Sequence, residues 1–285
     1  EKISLSRKAI NLLNSRGPDA NGYVLDDEDN LVFSHNRLSI LDLTETGSQP
    51  MISNSGNLLM IYNGEIYNHL ILRQELKDNN NFNNWKGTSD SETLLQAIDI
   101  WGIEKALKKI NGMFSFSIWN RQSKSLYLVR DRFGEKPLYY SWIPQNSSFV
   151  FGSDLIFDKL FRNIKFELNE EALNDLVHLN YINNNYSIFK NIYKLEPGCY
   201  SEIHFKKNQL PKINIKKYWK LENINNNKKN LKHLECVNQL DTKLSNVVKN
   251  QIFADVEVGT FLSGGIDSSL ITAKAQEVSS KKAFI

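Results

Sequence analysis

The sequence lacks the features that mark several common protein classes. Only two cysteines, Cys199 and Cys236, occur in 285 residues, and they stand far apart without a CxxC or Cys/His grouping. Neither a disulfide scaffold nor a zinc site is therefore expected, and each thiol is expected to pack as a small apolar side chain. No apolar run is long enough to span a bilayer and no secretory leader pattern opens the chain, which predicts a cytoplasmic protein without membrane contact.

The chain also lacks a strong charge of one sign. Charged residues make up 24% of the sequence and the formal net charge is only +3. The lysine pairs at 206–207, 216–217 and 228–229 are separated along the chain, as on an ordinary solvated surface. A nucleic-acid-binding protein would be expected to concentrate its positive charge in one stripe or patch, so we predict no nucleic-acid partner.

The length and the hydrophobic content predict two domains with real cores. The chain has 285 residues, of which 41% are hydrophobic, and a single core rarely serves a chain of this size. The stretch from Lys220, KLENINNNKKNLKHLE, is polar and resembles a linker. We therefore expect one domain over 1–222 and the beginning of a second over 223–285.

The predicted first domain mixes strands and helices. The apolar spacing from Ile3 to Asn14 favours a helix, and helical periodicity returns in HLILRQELK and, after a cap at Ser89 or Asp90, up to Ile110. Strand pairs are expected in Tyr23–Leu43 and in GMFSFSIWN with SLYLVRDRF. NLLMIYNGEIYN is also expected to contain two strands.

In the second domain the predicted order is helix, strand, loop, helix. Helical spacing covers Leu234–Ile252, and Val256–Leu262 is expected to be a buried strand. Ser263–Ser269 is expected to be a glycine-bearing loop before a helix over Leu270–Val278. Lys282–Ile285 would start the next strand. A strand, a glycine-rich loop and a helix in this order are typical of a phosphate-binding site.

The loop LSGGIDSS carries the most specific chemistry of the chain. Two glycines let backbone N–H groups approach phosphate oxygens, and serine hydroxyls add donors. An acid among phosphates suggests bridging Mg²⁺, so Asp267 is a candidate metal ligand. The GK[ST] ending of a Walker A loop is absent, which argues against a kinase-like P-loop. A plain Gly-Gly turn before a serine-capped helix is the alternative. The candidate nucleotide-binding residues are Leu262, Ser263, Gly264, Gly265, Asp267, Ser268 and Ser269.

A second informative stretch is MIYNGEIYN, Met60 to Asn68. Asn-Gly between β-favouring residues is the strongest short-range turn signal, so a plain hairpin turn at Asn63-Gly64 is one interpretation. However, a turn has no need of the acid that follows, Glu65. The other interpretation is a binding or catalytic site, because a neutral amide beside a glycine N–H can stabilise an oxyanion.

Several longer motifs occur in a fixed order along the chain. They are RGPDANG (Arg16 to Gly22), HNRLSILDL (His35 to Leu43), SQPM (Ser48 to Met51), YNGEIYN (Tyr62 to Asn68), TSDSE (Thr88 to Glu92), NGMFSFSIW (Asn111 to Trp119), RDRFGEKPLYY (Arg130 to Tyr140), LEPGCY (Leu195 to Tyr200) and finally SGGIDSS.

This set resembles the glutamine-hydrolysing asparagine synthetases, in which a class II glutamine amidotransferase domain precedes an ATP-pyrophosphatase domain. The resemblance implies an α+β αββα sandwich of the N-terminal nucleophile type, followed by the beginning of an α/β nucleotide-binding domain with a pyrophosphate (PP) loop. It implies that Asn63 and Gly64 form the oxyanion hole, and that Asn63 also contacts glutamine. Arg37 would bind the α-carboxylate of glutamine, and Glu65 and Asp90 its α-ammonium.

Each of these residues also has a structural interpretation. Arg37 could be an ordinary sheet-surface cation, and Asp90 a simple helix cap. His35 is expected to be packed or hydrogen-bonded and not catalytic.

The chain departs from the family at the nucleophile, which is an N-terminal cysteine in the resembling enzymes. This sequence starts with Glu1, and neither of its cysteines is near the N-terminus. We therefore expect an internal fragment, inactive by itself, of a longer protein. Asp154 stands where the family usually has Glu, which is a smaller departure.

The resemblance implies a carbon-nitrogen ligase that uses glutamine, ATP and Mg²⁺, has small-molecule substrates and could be a homodimer. Aspartate is the default acceptor of the ammonia. A sugar-linked carboxylate in surface-polysaccharide synthesis is an alternative acceptor, because the acceptor residues would lie beyond Ile285. A non-catalytic homologue is a further alternative.

Overall fold

A computed structural model describes residues 2–183, 185–206, 209–221 and 232–279. The described chain divides into two compact units. The first unit contains residues 2–39 and 44–221, and the second contains residues 40–43 and the described residues from 232 onward.

The first unit alternates strands and helices along the chain. Its helices and strands are α1 (Lys2–Leu13), β1 (Ala20–Asp26), β2 (Leu31–Arg37), β3 (Met51–Ile52), β4 (Leu58–Ile66), α2 (His69–Asn80), α3 (Asp90–Trp101), α4 (Ile103–Lys109), β5 (Gly112–Asn120), β6 (Ser125–Arg130), β7 (Tyr139–Ile143), β8 (Ser148–Gly152), α5 (Phe157–Leu160), α6 (Glu170–Leu179), β9 (Ile192–Lys194), β10 (Cys199–His204) and β11 (Lys212–Lys217). The predicted helix near the N-terminus and the β5–β6 hairpin are confirmed.

The strands of the first unit form three antiparallel sheets. The largest has six strands in the order β11-β10-β6-β5-β4-β3, and the others are β1-β2 and β8-β7-β9. One apolar core lies between the six-stranded sheet and helices α2, α3 and α4. A second core lies between that sheet and the two smaller sheets, and a third joins β7 to α1 and α5. This is the layered αββα arrangement that was predicted.

Strand β4 shows why the sheet packs on both faces. Successive side chains of a strand point to opposite faces. Met60 and Tyr62 accordingly pack in the helix-side core, whereas Leu59 and Ile61 pack in the core between the sheets. The prediction of two strands in NLLMIYNGEIYN is wrong, because Asn63 and Gly64 lie inside one continuous strand. The plain-turn interpretation of Asn63-Gly64 is excluded with it.

The helical stretch after Ser89 is two helices and not one. Ser89 is the N-cap of α3, and its hydroxyl accepts a hydrogen bond from the N–H of Glu92 at 3.2 Å. Gly102 ends α3 with a φ of 77°, a conformation that suits glycine. The chain then restarts as α4.

The second unit contains two described helices, α7 (His233–Gln251) and α8 (Ile266–Val278), which pack together. The Nζ of Lys274 in α8 lies 2.6 Å from Oδ1 of Asp241 in α7 and 2.7 Å from Oε2 of Glu277 in α8. The backbone N–H of Asp42 donates to Asp255 at 2.7 Å, which ties the short segment 40–43 to this unit.

Two predictions for the second unit are wrong. Val256–Leu262 is not a buried strand: within it only Gly259 takes part in a β-bridge, and Phe261 is fully exposed. The predicted loop is also shorter than expected, because α8 already begins at Ile266. The strand predicted at 282–285 and most of the predicted linker lie outside the described residues.

The two cysteines occupy different environments. Cys199 is buried in β10, as expected for a small apolar side chain. Cys236 lies on α7 but is exposed, so the prediction that it packs as a small apolar side chain is wrong. Within the described ranges, no helix combines the length and the apolar character needed to cross a membrane.

Candidate functional site

The centre of the candidate site is the C-terminal half of β4. Asn63 pairs with Ser115 and Gly64 with Phe114 of β5. A Cβ atom added to Gly64 would lie 2.2 Å from the carbonyl oxygen of Met113 and 2.6 Å from the Cα of Phe114. No side chain fits there, so close approach of the two strands accounts for this glycine.

Among the described residues, the side chain of Asn63 makes one weak contact. Its Nδ2 lies 3.5 Å from the hydroxyl oxygen of Ser153, just after β8, at the limit of a hydrogen bond. An amide held this loosely can turn its N–H toward another acceptor at little cost. Asn63 and the adjacent Gly64 N–H are therefore chemically suited to receive a developing oxyanion.

Asp90 is tied to β4 although it is the first residue of α3. Its Oδ2 accepts hydrogen bonds from the hydroxyl of Tyr62 at 2.7 Å and from the N–H of Ile66 at 2.8 Å. Its Oδ1 accepts a bond from the N–H of Ser91 at 2.9 Å. The cap of α3 is Ser89 and not Asp90, which removes the simple helix-cap interpretation of Asp90.

The carboxylates of Glu65 and Asp90 repel each other, and burial removes both of them in part from water. Burial raises the pKa of Asp90, against the hydrogen bonds from Ile66 and Tyr62 and the nearby His69, which lower it. Burial and the charge of Asp90 raise the pKa of Glu65, and Lys136 opposes that rise. Two adjacent carboxylates of this kind are stabilised by a cation, so the site is suited to an ammonium group.

Arg37 is the last residue of β2, a strand that also contacts β4. His35, two residues earlier on the same face of that strand, contacts the carbonyl oxygen of Tyr62 through Nε2 at 3.0 Å. Arg37 is buried, with 7% of its surface exposed, and its Nη1 donates to the carbonyl of Thr44 at 2.8 Å. It is therefore not an ordinary sheet-surface cation. Arg37, Asn63, Gly64, Glu65 and Asp90 all belong to the first unit.

The sequence-based interpretation missed three residues that hold this arrangement. The side chain of Gln49 makes two hydrogen bonds to the backbone of Tyr62. Its Nε2 donates to the Tyr62 carbonyl at 3.2 Å, and its Oε1 accepts from the Tyr62 N–H at 2.7 Å. Tyr62 itself bonds Asp90, and Ser153 contacts Asn63. Gln49 and Tyr62 lie in recognised motifs, but no local pattern indicates which partners they meet.

His35 is hydrogen-bonded, as expected. Because a carbonyl oxygen only accepts, Nε2 carries the hydrogen, and Nδ1 is then a bare acceptor. Nδ1 is buried without a partner among the described residues. Burial lowers the pKa of His35 to about 4; the bond to Tyr62 opposes this shift, and the charge of Arg37 adds to it.

A dependence of stability on pH follows from His35. The unfolded chain takes up a proton on this residue near pH 6.5, whereas the folded chain does so only near pH 4. The free energy of unfolding should therefore fall as the pH is lowered from 6.5 to 4, by on the order of 2 kcal/mol from this residue. The variant His35→Gln keeps a donor for the Tyr62 carbonyl but cannot titrate. Urea denaturation between pH 4.5 and 7 should show a shallower pH dependence for this variant, and equal slopes would contradict the assignment.

The loop of the second unit offers donors to an anion. Gly264 has a φ of 82°, and an added Cβ would meet no atom within 4 Å. The first backbone hydrogen bond of α8 runs from the N–H of Ser269 to the carbonyl of Gly265, at 3.1 Å. The N–H groups of the residues just before Ser269 therefore have no acceptor within the helix. The hydroxyls of Ser263 and Ser268 lie 2.9 Å apart beside them.

This loop fits a phosphate group, with one acid available for a hard cation. Five of the candidate residues are exposed, and Ser268 is half-buried; the exposed ones are Ser263, Gly264, Gly265, Asp267 and Ser269. Leu262, 45% exposed, precedes them. Asp267 is in the first turn of α8. In the described ranges, no group of three or more His, Cys, Asp or Glu side chains could hold a metal by themselves. Phosphate oxygens would therefore have to complete the coordination of an ion at Asp267.

Comparisons with known proteins agree with these observations. A family model described as "Glutamine amidotransferase domain" matches residues 1–219, and one described as "Asparagine synthase" matches residues 239–284. The chain is 35% identical over 297 residues to a putative glutamine-hydrolysing asparagine synthetase 2 of Methanocaldococcus jannaschii, covering 97% of this chain and 54% of the relative. It is 34% identical over 278 residues to asparagine synthetase 3 of Bacillus subtilis, covering 96% and 42%. The chain thus spans about half the length of these relatives.

The same fold occurs in a solved structure. The glutamine phosphoribosylpyrophosphate amidotransferase of B. subtilis matches with a TM-score of 0.52 at 15% identity, over 96% of this chain and 62% of that chain. This similarity confirms the predicted fold class. The resemblance drawn from the motifs is likewise confirmed by the family matches and the relatives.

Proposed function

Because the chain belongs to the glutamine amidotransferase family, we propose that its first unit binds glutamine and directs the hydrolysis of the side-chain amide. The observation that carries this proposal is a pair of mutually repelling acids beside Asn63 and Gly64: the half-buried Glu65 on the same strand β4, and the buried Asp90, which begins α3 and accepts a bond from the N–H of Ile66 in that strand. Free glutamine has the matching groups: an α-ammonium for the acids, an α-carboxylate for Arg37 and an amide for the oxyanion site.

Each residue has a distinct role in this proposal. The guanidinium of Arg37 is a planar donor fork that matches a carboxylate. The N–H groups of Asn63 and Gly64 stabilise the negative oxygen of the tetrahedral intermediate. The nucleophile would be an N-terminal cysteine of the complete protein, which this sequence does not contain.

The second unit would use the ammonia. We propose that the loop from Leu262 to Ser269 holds the pyrophosphate part of ATP and that Asp267 holds Mg²⁺ against its oxygens. ATP would supply the adenylyl group that activates a carboxylate toward ammonia. Aspartate is the proposed acceptor, with asparagine, AMP and pyrophosphate as products. The names of the relatives support this choice.

The proposal is tested at Arg37 in the complete protein. Replacement of Arg37 by alanine should raise the KM for glutamine about 30-fold or more, because a charge-assisted bidentate contact is lost. Synthesis driven by free ammonia should be unchanged, since only the glutamine pocket is affected. The measurements are glutamate formation and product formation with each nitrogen source.

The matched control is Arg121→Ala. Arg121 also donates to a backbone carbonyl, that of Gly56, at 3.0 Å and pairs with Asp26 at 3.2 Å, but it lies outside the proposed pocket. This variant should keep the glutamine KM. An equal loss of glutamine-driven and ammonia-driven synthesis in Arg37→Ala would contradict the role of Arg37.

A further inference from the structure

A buried phenol lies directly beside the proposed ammonium site. Tyr62 is 5% exposed and precedes Asn63 in β4. Its ring packs in the helix-side core, and its hydroxyl donates to Oδ2 of Asp90 at 2.7 Å. Burial and the charge of Asp90 raise the pKa of Tyr62 well above its usual range, so the hydroxyl stays protonated and remains a donor.

The bonds to Asp90 are unequally divided between its two oxygens. Oδ2 accepts from both the Tyr62 hydroxyl and the Ile66 N–H, whereas Oδ1 accepts from the Ser91 N–H. A carboxylate oxygen has two lone-pair sites. The two donors therefore occupy Oδ2, and Oδ1 keeps one site for a further donor.

We propose that Tyr62 is a positioning residue that orients the Asp90 carboxylate so that Oδ1 receives the α-ammonium of glutamine. This inference rests on the proposed function of the first unit. Tyr62 does not touch the substrate. It acts by holding one oxygen of Asp90 in a fixed rotamer and by keeping the carboxylate ionised.

The charged and titratable groups around Asp90 define what the phenol contributes. Glu65 of β4 faces Asp90, Lys136 acts on Glu65, and His69 of α2 acts on Asp90. The hydrogen bond from Tyr62 lowers the pKa of Asp90 against the effect of burial. Removal of the hydroxyl should raise that pKa further, so that protons compete with the ammonium at a higher pH.

The test compares two ligands and two variants by calorimetric titration of the chain between pH 5.5 and 8. The ligands are L-glutamine and 4-carbamoylbutanoate, which is glutamine without its α-amine. Tyr62→Phe keeps the ring and removes the hydroxyl. The control is Tyr200→Phe, because Tyr200 is similarly buried and its hydroxyl donates to Glu104 at 2.5 Å, away from Asp90.

The expected result is specific to the ligand with an amine. Tyr62→Phe should weaken glutamine binding about tenfold at neutral pH, the usual scale of one hydrogen bond to a charged group. The pH at which glutamine binding is half lost should move upward. Binding of 4-carbamoylbutanoate should stay unchanged, and Tyr200→Phe should behave as the unsubstituted chain.

Other results overturn the inference in distinguishable ways. Unchanged glutamine binding in Tyr62→Phe, or equal weakening of both ligands, overturns the role of Tyr62 and leaves the proposed function intact. Absence of glutamine binding to the unsubstituted chain overturns the proposed function and this inference together. If thermal melting shows that Tyr62→Phe does not fold, the inference is tested instead by the ¹³C chemical shift of the Asp90 carboxyl group in the unsubstituted chain. It should shift when glutamine is added and not when 4-carbamoylbutanoate is added, and the absence of that difference overturns the inference.

Discussion

Replacing Asn63 with alanine is expected to lower the turnover number for glutamine hydrolysis by about 100-fold or more in the complete protein, with little change in the KM for glutamine. The oxyanion exists only in the intermediate and in the transition states around it, so loss of one donor affects the chemical step far more than the binding of glutamine, which Asn63 also contacts in the proposal. The fold should tolerate the change, because among the described residues the Asn63 side chain makes one weak hydrogen-bond contact, with Ser153 at 3.5 Å.

A second substitution separates the loss of a donor from a general disturbance. Asn63→Asp has the same shape but places a negative charge where the oxyanion forms, so its turnover should be at least as low. The control is Asn54→Ala, which removes a bond from a half-buried asparagine to the carbonyl of Asn84 in the same unit. The measurement is the rate of glutamate formation. Turnover within a few-fold of the unsubstituted protein in Asn63→Ala would show that Asn63 is not an oxyanion donor.

Replacing Asp267 with asparagine is expected to abolish synthesis with either nitrogen source in the complete protein. If Asp267 holds Mg²⁺ against the pyrophosphate oxygens, the uncharged amide cannot neutralise that ion, and adenylation must precede the use of ammonia. Formation of AMP and pyrophosphate should stop, whereas glutamate formation should continue. Parallel measurement of the three products distinguishes a defect in adenylation from a general loss of activity.

The control for Asp267 lies on the same helix. Glu277→Gln removes an acid that pairs with Lys274 near the end of α8, and it should keep pyrophosphate release. Normal pyrophosphate release in Asp267→Asn would mean that Asp267 only stabilises the first turn of the helix. If ADP and phosphate were formed in place of AMP and pyrophosphate, the loop would not be a pyrophosphate-binding loop.

Local patterns predicted the elements whose stability is mostly local. The helix α1 and the β5–β6 hairpin were predicted because their apolar spacing and turn residues agree with the final structure. The cap of α3 at Ser89 could also be predicted, because the hydroxyl of a serine just before a helix accepts a hydrogen bond from an N–H of the first turn. The roles of individual site residues and the boundary between the two domains stay predictions.

The errors arise where distant chain segments override the local pattern. Asn-Gly at 63–64 has a strong tendency to turn, but β5 lies so close to Gly64 that the strand continues. There, pairing with a partner, and not the composition of the segment, decides the conformation. Val256–Leu262 has the composition of a buried strand, but only Gly259 takes part in a β-bridge and Phe261 is fully exposed.

By itself the sequence determined the family, the chemical types of the candidate site residues and several of the helices and strands, because these follow from side-chain chemistry and short-range spacing. Only the tertiary structure decided that Asp90 bonds Tyr62, 28 residues away, and that Gln49 and His35 both meet the backbone of Tyr62. The burial that raises the pKa of Glu65 and Asp90 was likewise invisible in the sequence. Hydrogen bonds and desolvation depend on which surfaces meet in the folded chain, and local spacing does not specify that pairing.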